Sequence, residues 1–363
     1  MTDMNTSVRL KTNPAQINRF DDFAHAWPQL DISADIKRLS EDFIVEESLS
    51  FELDGEGEHA WLYVRKRETN TDWLAQQLAC FAGVKPVAVG YAGMKDRYAI
   101  TSQWFSVHLP GRDDVDWLAL SIPGVELLQI TRHARKLQRG ALKHNRFTIR
   151  LRDIVGDASL LSTRCELIRQ QGVPNYFGEQ RFGRGLDNLH RAEAMFRDPR
   201  KRLPRHKRSL YLSAARSWLF NCMLNERILR DSWNRRIDGD VFMLDGRSAC
   251  FADDASDDLV QRLQQGEIHP TAALWGGGEY LASGECASIE TAVADALPVF
   301  GKGLIDARLD AQRRAMRLML REIDLRVEDG DAVLVFDLPA GSYATMVLRE
   351  LLRCRSPAAS GSE

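Results

Sequence analysis

The segment VAVGYAGMKDRYAITSQWFSV, Val87 to Val107, places a short polar triplet, Lys95, Asp96 and Arg97, between two apolar runs. The first run, ending at Gly90 and Gly93, reads as a buried strand, and Trp104 to Val107 reads as the next one. A loop held by two strands is a common seat for catalytic groups, and a carboxylate flanked by cations is biased towards its ionised, nucleophilic form. Asp96 is therefore the candidate for nucleophilic or acid/base work. On spacing alone, a charged surface turn accounts for the same triplet.

Other chemistries find less support. Gly276, Gly277 and Gly278 lack the lysine and hydroxyl residue of a phosphate-binding loop, and Ala340, Gly341, Ser342 and Tyr343 lack the second glycine of a nucleophile elbow. The eight histidines form no H-E-x-x-H pattern, so no metal is expected. Six cysteines are scattered without a C-x-x-C pair, which argues against zinc and against a disulfide framework.

The whole segment resembles the signature of the TruD family of tRNA pseudouridine synthases, in which the catalytic aspartate lies in a pattern like G-x-K-D-[KR]-x-A-x-T-x-Q. Here the pattern is carried by Gly93, Lys95, Asp96, Arg97, Ala99, Thr101 and Gln103. Four further blocks follow the family's order: EDFIVEE from Glu41, RKLQRGALKHNRFTI from Arg135, VPNYFGEQRFGRG from Val173 and LPAGSYAT from Leu338. The resemblance runs from about Lys37 to Arg349. It implies isomerisation of uridine to pseudouridine, with tRNA position 13 as the target and no cofactor. By resemblance, Lys37 is the cation paired with Asp96, and Phe43, Asn145, Phe147 and Tyr343 contact the substrate. Tyr343 stands where many relatives carry phenylalanine, and Ser40 replaces the proline common before Glu41.

These residues suit that reaction. Breaking the bond from uracil to ribose and rejoining the base through C5 needs a carboxylate able to act on sugar or base, as in glycoside cleavage. Attack at C1′, addition at C6 and removal of a proton from C2′ all remain open. A base taken out of its stack needs a flat apolar surface and a group that reads its edge. Phe147 is equally well read as packing in line with Ile149 and Leu151.

At 363 residues and 44% hydrophobic content, the chain is long enough for two domains. No transmembrane run appears, and MTDMNTSVRLKTNPAQ lacks the pattern of a secretory leader, so a cytoplasmic protein is expected. The net charge of -2 is not that of an obvious nucleic-acid binder. Its distribution is uneven: RDPRKRLPRHKR, Arg197 to Arg208, is basic, and DDASDD, Asp253 to Asp258, is acidic. The first reads as phosphate-contacting in the light of the resemblance, and as a solvated loop without it.

NRFTIRLRD from Asn145 alternates with period two and reads as a half-buried strand. LLSTRCELIRQQG reads as a helix stopped by Gly172 and Pro174, and Leu309, Met316, Leu320 and Ile323 read as one helical stripe. DAVLVFDL from Asp331 reads as a central strand covered on both faces, and ATMVLRELLRCR as a helix before a disordered SPAASGSE tail. The expected fold is α+β: a catalytic core of residues 1–171 and 317–363, with a largely antiparallel central sheet flanked by helices. An inserted α/β domain of residues 172–316 interrupts it, and RNA is expected in a positively lined cleft. The expected partner is tRNA, with no membrane and no protein partner, and the expected state is a monomer. The rival readings are a catalytically silent RNA-binding or chaperone protein of the same fold, and a hydrolase using Asp96 as its base.

Overall fold

A computed structural model describes residues 8–111, 115–138, 140–198, 200 and 202–355. The chain divides into two compact units. One comprises Leu30–Glu166, Glu322–Ala344 and Leu351–Glu363; the other comprises Met1–Gln29, Leu167–Arg321 and Thr345–Glu350.

In chain order the elements are β1 (Ser33–Asp35), β2 (Phe43–Leu49), β3 (His59–Arg67), α1 (Thr71–Phe81), β4 (Val89–Tyr91), β5 (Ile100–His108), β6 (Val125–His133), β7 (Leu142–Val155) and α2 (Ser159–Gln171). They continue with β8 (Val173–Pro174), α3 (Asp187–Arg197), α4 (Arg205–Leu229), β9 (Val241–Leu244), β10 (Cys250–Ala252), α5 (Asp258–Gln265) and β11 (Ile268–Leu274). Last come α6 (Gly284–Ala296), α7 (Pro298–Asp306), β12 (Gln312–Ala315), β13 (Arg317–Leu318), β14 (Ile323–Glu328), β15 (Asp331–Pro339), α8 (Ala344–Leu351) and β16 (Arg353–Arg355).

The first unit is built on a sheet in the order β14-β15-β7-β2-β5-β3-β6, with β1, β16 and β4 attached to it. Its pairings are antiparallel except β2 with β5 and β1 with β16. The expectation of an α+β fold with a largely antiparallel sheet holds. The alternation read from Asn145 onward sets β7, where Phe147, Ile149 and Leu151 are buried and the residues between them are only partly so. β15 lies between β14 and β7, but its burial alternates: Ala332, Leu334, Phe336 and Leu338 are enclosed, while Val333 and Val335 are half-buried.

α1 covers one face of this sheet. Its start is fixed by Asn70, whose side chain accepts the Trp73 N–H at 3.1 Å, leaving Leu74, Ala75, Leu78 and Ala79 to meet Leu62, Val64, Phe105 and Val107. Each large side chain so enclosed contributes about 1.5–3 kcal/mol.

In the second unit, α4 runs 25 residues and is almost wholly buried from Tyr211 to Ile228. It packs with α3, α6, α7 and β11, and the small sheet has the order β10-β9-β11-β12. Gly172 ends α2 at φ 78°, and its N–H reaches the Ile168 carbonyl at 2.7 Å. A Cβ there would lie 2.6 Å from the Leu318 carbonyl oxygen, so glycine is required twice over.

One expected helix is absent. Gln312–Ala315 pairs antiparallel with Thr271–Leu274, and Arg317–Leu318 pairs with Val173–Pro174. Met316 and Leu320 are buried, but so is Leu318 between them. A spacing of four fits one helical turn and two strand periods alike, and the two antiparallel pairings decide for the strand. The closing helix also stops earlier than expected, at Leu351, because Arg353–Arg355 pairs parallel with Ser33–Asp35. The SPAASGSE tail lies outside the described residues, as do Pro199 and Lys201 of the basic run. Among the described residues, no helix is long and apolar enough to cross a membrane.

Candidate active site

The parallel pairing of β2 with β5 brings two separate loops to one end of the sheet. Ile44 lies opposite Ile100, so the chain entering β2 from Lys37 and the chain entering β5 from Gly93 arrive side by side. Register then aligns a row across five strands on one face: Lys66, Thr101, Val45, Phe147 and Phe336. Two residues further along β2, Glu47 lies opposite Asn145, which lies opposite Leu338.

Asp96 is partly exposed, at 36% of its side chain, and each carboxylate oxygen has a partner. Oδ2 takes the Lys37 ammonium, and Oδ1 accepts the Tyr98 N–H at 3.1 Å. The same ammonium stands 4.1 Å from the centroid of the Phe43 ring, a cation–π contact. Phe43 meets Phe147 edge-on at 6.0 Å, and Phe147 stacks on Phe336 at 5.5 Å.

The turn that presents Lys37 is strained and firmly tied. Lys37 has φ 56°, a left-handed conformation that side chains other than glycine seldom adopt. Before it, the Ile36 N–H donates to the Arg355 carbonyl at 3.0 Å; after it, the Leu39 N–H donates to Asp42 Oδ2 at 2.8 Å. Asp42 is buried and gripped by Arg152 at 2.7–2.9 Å. Burial pushes its carboxyl up, but the guanidinium and the Leu39 N–H outweigh that and hold it below the usual carboxylate range. Ser40, in place of the family's proline, hydrogen-bonds through Oγ to Glu68.

The two cations beside Asp96 in sequence do not pair with it. Arg97 donates from Nε to the Glu68 carbonyl at 3.4 Å and lies over the Tyr98 ring. Lys95 turns inward, where its Nζ is 2.6 Å from Glu47 Oε1 and 2.8 Å from Asn145 Oδ1. The other Glu47 oxygen accepts the Trp104 N–H at 2.9 Å. Burial pushes the Glu47 carboxyl up, with Lys95 and the Trp104 N–H opposing it. The loop backbone is held as well: the Lys95 N–H donates to Thr71 Oγ1 at 3.1 Å, and the Thr71 hydroxyl donates to Gln103 Oε1 at 3.0 Å. The first residue of α1 thus anchors the loop that carries Asp96.

Beneath them lies Lys66, fully enclosed, with Nζ donating to the Thr69 carbonyl at 2.7 Å. Burial lowers its pKa to about 8, while the fields of Asp96 and Glu47 favour its charge and that of Lys95 opposes it. Among the described residues, no group of three or more His, Cys, Asp or Glu side chains is arranged to hold a metal.

Of the residues singled out from sequence, Lys37, Asp96, Phe43 and Phe147 form one contiguous group, and Asn145 joins it through Lys95. Tyr343 is half-buried in the loop after β15, at the end of the sheet where Leu338 faces Asn145. Sequence reasoning passed over Glu47, Thr71 and Lys66. Lys66 had a signal: it shares the parity of Leu62 and Val64, so a strand burying those two buries the lysine as well.

Two segments of the chain, residues 23–195 and 185–351, match the family model for tRNA pseudouridine synthase D (TruD). The tRNA pseudouridine synthase D of Methylococcus capsulatus is 49% identical over 335 residues, covering 92% of this chain and 95% of that protein. Its counterpart in Hydrogenovibrio crunogenus is 45% identical over 344 residues, covering 94% and 99%. In fold, the chain is similar to a Methanosarcina mazei crystal structure assigned to tRNA pseudouridine synthase D, with a TM-score of 0.69 at 23% identity, covering 91% of this chain and 95% of that one. The parallel β2–β5 pair, the aspartate loop it positions and these matches lead to one conclusion: the chain belongs to the TruD family of tRNA pseudouridine synthases.

Proposed function

We propose that this protein isomerises uridine to pseudouridine in tRNA, at position 13, with Asp96 as the catalytic carboxylate and without a cofactor. The reaction breaks the N1–C1′ bond and forms C5–C1′; C5 loses a proton and N1 gains one, so substrate and product have the same atoms. Nothing is oxidised and no group leaves. The observation that carries the reading is the Lys37–Asp96 pair beside the edge-to-face rings of Phe43 and Phe147. A flipped uracil needs such a surface, and its ribose needs a carboxylate within reach.

In this reading Lys37 balances the charge of Asp96, Phe43, Phe147 and Tyr343 provide apolar and stacking surface, and Asn145 reads the edge of the base. Residues 1–171 and 317–363 form the catalytic domain, and residues 172–316 the inserted one. The protein works as a cytoplasmic monomer on tRNA.

The test is to incubate unmodified tRNA with the wild type and with Asp96→Asn and to map pseudouridine. Conversion at position 13 by the wild type alone is expected. Tight binding without conversion by the wild type would point to an RNA chaperone, and strand scission to a hydrolase.

A further inference from the structure

The amide of Asn145 can be held only one way round. Lys95 Nζ lies 2.8 Å from Asn145 Oδ1, and an ammonium has hydrogens to give but no lone pair to receive one. The carbonyl end of the amide therefore faces Lys95, and the NH₂ end is directed away from it. Lys95 is in turn fixed from two sides: its backbone N–H donates to Thr71 Oγ1, and its ammonium sits 2.6 Å from Glu47 Oε1. The Glu47 side chain is fully enclosed, with its second oxygen taken by the Trp104 N–H. Glu47 and Asn145 are directly opposite on paired strands, and Lys95 spans them.

A buried ion pair is a poor way to gain stability, because desolvation offsets its attraction and apolar side chains would fill the same volume. What it supplies here is direction. We propose that Glu47 and Lys95 are positioning residues that lock Asn145 with its NH₂ towards the target base, where it donates to a carbonyl oxygen and so selects uracil over cytosine. This rests on the reading of Asn145 as a base contact.

The chemistry of the turn makes a donor the right group. A half turn about the axis through C6 and N3 brings C5 to the place N1 has left, and it exchanges the C2 and C4 carbonyls. Both are acceptors in uracil, so one fixed N–H donor meets an oxygen before and after the turn. Cytosine carries an amine at C4, and would set donor against donor either on entry or after turning. An amide free to rotate would offer cytosine its carbonyl and lose this discrimination.

The experiment compares tRNA transcripts bearing uridine or cytidine at the modified position. Dissociation constants for both are measured with wild type, Lys95→Met, Glu47→Gln, Asn145→Asp and Asn145→Ala, each checked for folding by thermal melting. The expected result is that Lys95→Met lowers the preference for uridine over cytidine about tenfold, the worth of one misdirected hydrogen bond. Glu47→Gln should lower it in the same direction. Asn145→Asp retains a partner for Lys95 but has no N–H, and should lose the preference even if Lys95→Met does not fold. An unchanged ratio in folded Lys95→Met, or a wild-type ratio in Asn145→Asp, overturns the proposal. If Asn145→Ala binds and converts uridine like the wild type, the assignment of Asn145 to the site fails instead.

Discussion

Lys37 and Asp96 stand 59 positions apart in the chain and share an ion pair, whereas Lys95, the immediate neighbour of Asp96, belongs to Glu47. Proximity in sequence therefore misleads about the cation. Lys37 reaches Asp96 because β2 and β5 run parallel, and Lys95 leaves it because its side chain, in the middle of the loop between β4 and β5, turns to Glu47 instead.

Replacing Lys37 by Met removes the charge beside Asp96 while leaving an apolar stem near Phe43. Turnover should fall on the order of 10²-fold, as for other preorganised charges at reacting centres. Affinity for tRNA should change less than about twofold. Single-turnover rates and filter binding, measured on the same preparation, separate the two; equal losses would remove Lys37 from the chemistry.

Asp42→Asn weakens the turn that presents Lys37. The Arg152 guanidinium loses the nearer of its two carboxylates, keeping Asp331 at 3.6 Å, and the Leu39 N–H keeps a weaker acceptor, at a cost of about 2 kcal/mol near neutral pH. The Asp42 carboxyl is held below its ordinary value of 3.8, so this stabilisation is present above that pH and lost as the pH falls below it. Urea midpoints of wild type and variant should therefore differ at pH 7 and converge in acid.

Lys66→Met should make the protein more stable at pH 7. A lysine whose pKa falls from 10.5 unfolded to about 8 folded is destabilising wherever both forms are protonated, by about 3 kcal/mol at full effect. The unfolded state holds more protons between those two values, so wild-type stability rises with pH across that window. Denaturant titrations at pH 7 and pH 10 should show the advantage of the variant shrinking; a constant advantage would mean that Lys66 is compensated.

Phe147→Ala should cost about 3–4 kcal/mol, because the ring is 9% exposed and packed between Phe43 and Phe336. Phe147→Leu keeps most of the volume and should keep most of the stability. A raised KM in the leucine variant, with the melting temperature nearly unchanged, would assign the ring to substrate as well as to the core.

Much of the sheet could be read from the chain. The alternation from Asn145 gave β7, and Gly172 ended α2 as glycine with positive φ does, whereas the run from Val87 to Gly93 yields only the short strand Val89–Tyr91, with Val87 exposed in the turn before it. What was not legible depended on pairing. Nothing local tells that the strand after Glu41 lies parallel to the strand after Asp96, so the choice among Lys37, Lys95 and Arg97 could not be made by geometry before the register was known. Glu47 was not singled out within EDFIVEE, although period two puts it on the face of Phe43 and Val45. At Met316 and Leu320 the two periodicities coincide, and only the antiparallel partners Thr271–Leu274 and Val173–Pro174 decide between them.

The left-handed backbone at Lys37 has a consequence for any attempt to harden this protein. The conformation disfavours most side chains, lysine among them, by about 1–2 kcal/mol relative to glycine, so a screen that rewards heat resistance alone is drawn to glycine at this position. Such a clone would melt later and express well, yet it would carry no ammonium to meet Asp96. Under the role proposed for Lys37, thermal selection and enzymatic selection pull residue 37 in opposite directions, and a screen that scores product is the one that keeps the lysine.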